Sequence, residues 1–285
     1  MTNKVCICVS TYQKDVALST LLESLVAYEY HTGNRLVIVD DHQGLPYDLN
    51  RKTNPNHPLF KDNDLQEIKR PSAVMVVEGF KVKHPDVDIS CVFGKARGGV
   101  AINKNRGIKY FLERPEFDEL LMLDDDIVMT GPGLLEACRA TGEPHMTGML
   151  GEGSSQAASF GAVKAPFFET FPVKGETPTH VFAEGSMGMM LWANRSCVEK
   201  VGYMDQLSKD GFYGMEHSTW SNRINALYGK YIDWFPILKG CDRFFVSQEI
   251  PNNYTADYSQ NQRGWAKRKP EIFKGINLHI KNPGC

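Results

Sequence analysis

The chain alternates between short apolar runs and segments in which apolar residues recur at helical spacing. Val5 to Ser10 (VCICVS) is almost continuously apolar, the pattern of a strand buried on both faces of a parallel sheet. Leu18, Leu21, Leu22, Leu25 and Val26 then recur with the spacing of one helix face. Arg35 to Asp41 (RLVIVDD) is a second apolar run, closed by two aspartates. Residues 42–70 are polar and hold several Pro, Asn, Asp and Lys, which predicts a long loop. A helix is predicted over Ala73–Val82, a strand over Asp88–Phe93, a helix over Ala101–Leu112 and a strand over Glu119–Leu123. Strands alternating with helices imply an α/β fold with a parallel sheet and right-handed crossovers. Ligands of such sheets bind outside the carboxyl ends of the strands.

Beyond residue 130 the pattern is less regular. Gly131–Ala140 predicts a short helix, and Met146–Leu150 and Ser159–Pro166 predict short strands. Val181–Trp192 (VFAEGSMGMMLW) is apolar and stops before Asn194, a good N-cap for a helix over Arg195–Val201. Ser218–Tyr228 predicts a helix that buries Trp220, Ile224 and Leu227, and Ile232–Leu238 a strand. From Asn252 onward the chain is polar, basic and aromatic, with little periodicity.

Composition narrows the class only mildly. At 285 residues and 42% hydrophobic content the chain can form one large α/β domain or two small ones. A net charge of −2 gives no global basic footprint for nucleic acid. No run approaches the length of a transmembrane helix, and the N-terminus enters a strand pattern without a signal-peptide layout. The seven cysteines show no C-x-x-C and no zinc spacing. Cys6 and Cys8 share one strand face and are too local to bridge easily. Reduced thiols in a cytoplasmic protein are the expectation.

The chemistry concentrates in Asp124-Asp125-Asp126, directly after the apolar run Leu120–Leu123. Aspartate is depleted in strands, so the triplet marks a strand end. Three carboxylates repel one another unless a cation offsets them, and oxygen-only ligands suit Mg2+ or Mn2+. Mg2+ in such sites is commonly shared with substrate phosphates. A solvated acidic turn is the alternative. Arg97, Lys104 and Arg106, near the Gly98-Gly99 turn, are candidates for phosphate contact, with a solvated helix face as the alternative for each.

Taken in order, these segments resemble family 2 glycosyltransferases. Val5–Lys14 (VCICVSTYQK) is similar to that family's opening strand and turn, and Val37–Asp41 (VIVDD) to its second strand. Gly98–Gly107 (GGVAINKNRG) resembles its glycine-containing segment before an Asn-x-Gly helix, and Leu121–Asp126 (LMLDDD) its metal-binding D-x-D. Met187–Asp205 resembles its acceptor-side strand and helix, and Gly211–His217 (GFYGMEH) the segment with the catalytic carboxylate. The resemblance implies a GT-A fold. A Rossmann-like nucleotide-sugar-binding half (1–130) continues into an acceptor-binding and catalytic half (131–250), followed by a tail (251–285) that helps complete the site.

The implied reaction moves a sugar from a nucleotide-sugar, expected to be a UDP-sugar, to a hydroxyl of a glycan or small acceptor, with inversion expected and retention as the alternative. Ser10, Thr11, Tyr12 and Asp41 are implied around the nucleobase and ribose. Asp124 and Asp126 are the implied ligands of Mn2+ or Mg2+, Asp125 is a further donor contact, and His279 is a candidate to complete the metal site. Glu216 is the implied base. The chain departs from the family's usual Glu-Asp by having Glu216-His217, so the imidazole is the other candidate. Glu184 and Trp220 fall on the acceptor side, as does Trp265. Three other readings remain. A hydroxylated nucleic-acid base is a possible acceptor, given the basic, aromatic stretch Gln262–Lys269. A nucleotidyltransferase would normally carry a Gly-rich basic loop after strand one, which Thr11-Tyr12-Gln13 does not supply. A non-catalytic nucleotide- or sugar-binding module would not need the carboxylates.

Overall fold

The computed structural model describes residues 3–12, 14–41, 72–94, 98–149, 172–206, 215–247 and 258–282. The first half builds β1 (Val5–Thr11), α1 (Asp15–Tyr28), β2 (Arg35–Asp40), α2 (Ala73–Lys83), β3 (Ile89–Phe93), α3 (Val100–Leu112) and β4 (Glu119–Asp124). The second half adds β5 (Ile127–Met129), α4 (Leu134–Ala140), β6 (His145–Thr147), β7 (Val173–Glu176), β8 (His180–Ala183) and β9 (Met190–Asn194). These are followed by α5 (Arg195–Val201), α6 (Glu216–Leu227), β10 (Phe235–Leu238), β11 (Phe245–Ser247) and α7 (Tyr258–Phe273).

Nine strands form one sheet in the order β3-β2-β1-β4-β9-β6-β10-β8-β7. The first four are mutually parallel. β9 runs antiparallel to both β4 and β6, so the sheet continues into the second half with reversed strands. The result is the expected α/β sheet, parallel in its first half and continuous throughout.

Period-two alternation assigns the two faces. Val5, Ile7 and Val9 of β1 share a core with Leu18, Leu21, Leu22 and Leu25 of α1. Cys6 and Cys8 point the other way, into a core with Ile108 and Phe111 of α3 and Val198 of α5. Their sulfurs lie 3.7 Å apart as thiols. Gly107 of α3 admits this packing, because an added Cβ would stand 3.1 Å from the Cys8 sulfur.

The apolar stretch Val181–Trp192 is not one element. Glu184 to Met189 interrupt it as a turn between β8 and β9, and this turn borders the site. Asn194 caps α5 as expected, its side chain accepting the Cys197 N–H at 2.9 Å. The tail, without clear periodicity, nevertheless forms α7, with Pro270 inside it. β5 and β11 pair antiparallel over three residues each, too short for a period to register. The predicted loop over 42–70 and strand over Ser159–Pro166 lie outside the described residues. No helix among the described residues is long and apolar enough to cross a membrane.

Candidate active site

The strand order reverses between β1 and β4, since the chain builds outward through β2 and β3 before returning to β4. That reversal opens a crevice at the carboxyl ends of the strands. Register aligns its rim: Ser10 of β1 pairs with Asp124 of β4, and Thr11 with Asp40 of β2. Both aspartate clusters therefore meet at one edge of the sheet.

Each aspartate of the triplet faces a lysine. Lys104 Nζ lies 3.0 Å from Asp124 Oδ1, and only 1% of the lysine side chain is exposed. Lys14 Nζ lies 3.0 Å from Asp125 Oδ1 and 3.5 Å from Asp126 Oδ2. Burial works to lower the Lys14 pKa, but Asp125 and Asp126 outweigh it and the ammonium is held charged. Asp125 closes the end of β1: its N–H donates to the Ser10 carbonyl, and its Oδ2 accepts the Tyr12 N–H. Burial pushes its pKa up to about 6, against the opposing charge of Lys14. Burial likewise raises Asp124, opposed by Lys104.

The cation that three adjacent carboxylates require is thus partly internal. Two ammonium groups offset all but one of the three charges. Asp124 and Asp126 keep 30% and 23% of their side-chain surface exposed. Two accessible carboxylates offering hard oxygens at one strand end fit Mg2+ or Mn2+ with a substrate phosphate. Among the described residues no group of three His, Cys, Asp or Glu side chains stands together as a ready metal site. His279 Nδ1 lies 2.7 Å from the Lys200 carbonyl, beside the pairing of Ile280 with Val201 and Tyr203.

Asp41 pairs with Arg106 and with the glycine turn. Gly98 and Gly99 donate their N–H groups to Oδ1 and Oδ2 of Asp41, each at 2.8 Å. Arg106 Nη1 adds a contact to Oδ1 at 3.1 Å. The anion cradled by the glycine turn is therefore a carboxylate of the protein. Gly99 has φ +80°, and a Cβ on Gly98 would lie 2.4 Å from Ile102, so the turn requires both glycines. Arg106 is buried and also reaches the Asp40 carbonyl and Asn103 Oδ1. Asp41, expected at the nucleobase, and Arg106, expected at phosphate, thus support the crevice floor together. Lys104 is likewise buried rather than on a solvated face. Arg97 lies outside the described residues.

Across the crevice, Glu216 opens α6 and His217 follows it. Met215, just before, has φ 72°, a conformation that costs free energy for a residue with a side chain. Glu216 Oε1 lies 3.9 Å from His217 Nδ1. Burial works to raise Glu216, but His217 and the charge of Lys104 outweigh it and hold the carboxyl below its ordinary range. His217 Nε2 lies 3.1 Å from the Ser186 carbonyl and 3.2 Å from Ser218 Oγ, and Nδ1 faces the glutamate.

The acceptor-side candidates separate. Trp220 is fully buried and donates to the Gly202 carbonyl at 3.0 Å, so it is core and not a sugar platform. Glu184 pairs with Lys174 at 2.6 Å on the surface. The Trp265 side chain lies outside the described residues. In the basic tail, Lys269 pairs with Asp233 at 2.7 Å and Arg268 with Glu271 at 3.3 Å, which ties down two charges of the stretch read as a strand-binding surface. Sequence reasoning assigned no individual role to Lys14, Ser186 or Gly188. For Lys14 the signal was present: it lies three residues after β1, on the same rim as the triplet.

No protein family and no curated protein matches the chain by sequence. Solved structures do match its fold. The mannosyltransferase PcManGT from Pyrobaculum calidifontis, in complex with GDP-Man and Mn2+, matches with TM-score 0.58 and 14% identity, over 100% of this chain and 72% of that one. S. aureus TarS matches with TM-score 0.54 and 12% identity, over 96% of this chain and 44% of that one. TarS 1-349 in complex with UDP matches with TM-score 0.51 and 13% identity, over 95% of this chain and 72% of that one. The fold that these matches share with the chain is GT-A.

Proposed function

We propose that the protein is a glycosyltransferase that moves a sugar from a nucleotide-sugar, a UDP-sugar by first choice, to a hydroxyl of a glycan or small acceptor. The observation that carries this reading is the meeting of two chemistries at one crevice. The Asp124–Asp126 rim lies on the donor side, and Glu216-His217, held by the Ser186–Met189 turn, lies across from it. Neighbours in complex with GDP-Man and with UDP support a nucleoside diphosphate donor.

In the transfer, the acceptor oxygen bonds to the anomeric carbon from the face opposite the diphosphate. The bond from that carbon to the diphosphate oxygen breaks, and its electron pair leaves with the diphosphate. The acceptor proton passes to Glu216, which is kept ionised at neutral pH, or to His217. A divalent ion, Mn2+ or Mg2+, bound at Asp124 and Asp126 would offset charge on the leaving diphosphate. Lys14 and Lys104 hold these carboxylates in place.

A thermal-melt screen against nucleotide-sugars, with and without Mn2+, tests the reading. A ligand that binds only the folded state raises Tm by mass action. UDP-sugars should raise it most. No shift with any nucleotide-sugar at millimolar concentration would remove the proposal.

A further inference from the structure

Lys104 is an unusual side chain to bury. An isolated ammonium is costly to take out of water, and an ion pair in its place is weak evidence for stability, because an apolar residue of similar volume often serves at least as well. Its contacts point outward from α3 in two directions. Nζ lies 3.0 Å from Asp124 Oδ1 at the end of β4, and it donates to the Gly188 carbonyl at 2.7 Å. The Asp124 N–H donates to the Met189 carbonyl at 2.9 Å, one residue further along the same turn. The turn in question, between β8 and β9, is the one that packs against His217 of α6. Gly188 presses against the imidazole so closely that an added Cβ would stand 2.8 Å from Nδ1 and 2.9 Å from Cγ. The Ser186 carbonyl lies 3.1 Å from Nε2.

We propose that Lys104 is a positioning residue: it sets the Ser186–Met189 turn against Asp124 and thereby fixes the His217 ring, and Glu216 beside it, relative to the donor end of β4. The catalytic consequence rests on the transfer reading above; the positioning itself does not. One ammonium then couples the donor carboxylate to the acceptor-side base without touching either substrate. Its charge acts on Glu216 in the same direction.

The test uses the full chain without ligand and reads the His217 Cε1–H resonance by NMR, identified by its loss in His217→Gln. Lys104→Met removes the ammonium and keeps the volume. It should move the His217 resonance while leaving that of His84, which contacts Glu23 and Phe80, in place. Lys104→Arg keeps the charge and should restore the resonance in part. Gly188→Ala leaves Lys104 intact, but its new methyl must displace the ring, so it should move the same resonance. Where Lys104→Met does not fold, Lys104→Gln, which also removes the charge, takes its place. An unmoved His217 resonance in folded Lys104→Met, or in the Lys104→Gln that replaces it, overturns the positioning role. In turnover of a UDP-sugar, Lys104→Met should lower kcat by roughly 10- to 100-fold with little change in donor KM, as misplacement of a base predicts. A moved resonance in a protein that turns over no nucleotide-sugar keeps the positioning and removes the transfer reading.

Discussion

Asp41 and Arg106 form a buried pair, Oδ1 to Nη1 at 3.1 Å, beneath the turn that opens α3. With the Gly98 and Gly99 amides, the carboxylate receives three hydrogen bonds. Asp41→Ala would take the carboxylate partner from a buried guanidinium and from two N–H groups. Losing one partner of a buried pair costs about 3–5 kcal/mol. Urea unfolding without nucleotide should show a loss of that order. A nucleobase contact would instead weaken UDP binding in calorimetry and leave the urea midpoint near that of the parent.

The aspartate rim predicts metal dependence. Asp126→Ala and Asp124→Asn should each lower nucleotide-sugar turnover by roughly 100-fold or more, since metal stabilisation of the leaving group is worth several kcal/mol. Asparagine is chosen at 124 so that Lys104 keeps a hydrogen-bond acceptor. EDTA should act like the substitutions on the unmodified protein. Full turnover in EDTA would show that Lys14 and Lys104 are sufficient counterions.

Glu216 and His217 can be ranked by kinetics. Glu216→Gln keeps the shape and removes the proton acceptor, so kcat should fall roughly 100-fold with donor binding unchanged. His217→Ala should be milder, because the carboxylate remains. The reverse ranking would move the base to the imidazole.

A pH effect on stability arises far from the rim. His145 is fully buried edge-on to Trp220, and neither ring nitrogen has a hydrogen-bond partner among the described residues. Burial depresses its pKa to about 3. In the unfolded chain it titrates near 6.5, so the unfolded state takes up the proton first as pH falls. The contribution is complete above pH 6.5 and is lost on acidification toward pH 3. Between pH 7.5 and 5 the loss is about 2 kcal/mol. Urea midpoints at those two pH values should differ less in His145→Phe than in the parent; equal differences would exclude His145 as the source.

The sequence by itself determined the elements of the first half and the sites of its chemistry. Buried parallel strands read as unbroken apolar runs, and α1 as a leucine stripe, because each element's own neighbours impose those periods. Asp124–Asp126 announced a strand end for the same local reason. The second half was less legible. Glu184–Met189 joins two apolar strands through residues that are themselves partly apolar, so no break in hydrophobicity marks the turn. Most of all, Asn103, Lys104, Asn105 and Arg106 are a polar run that local rules place in water, yet all four are buried. Asn103 donates to the Val39 carbonyl at 2.8 Å, Asn105 exchanges hydrogen bonds with Met204, Lys104 meets Asp124, and Arg106 meets Asp41. Whether a buried polar group is costly or useful depends on partners distant in the chain. Tertiary structure alone supplies those partners, and it decided which charged residues support the crevice and which remain at its rim.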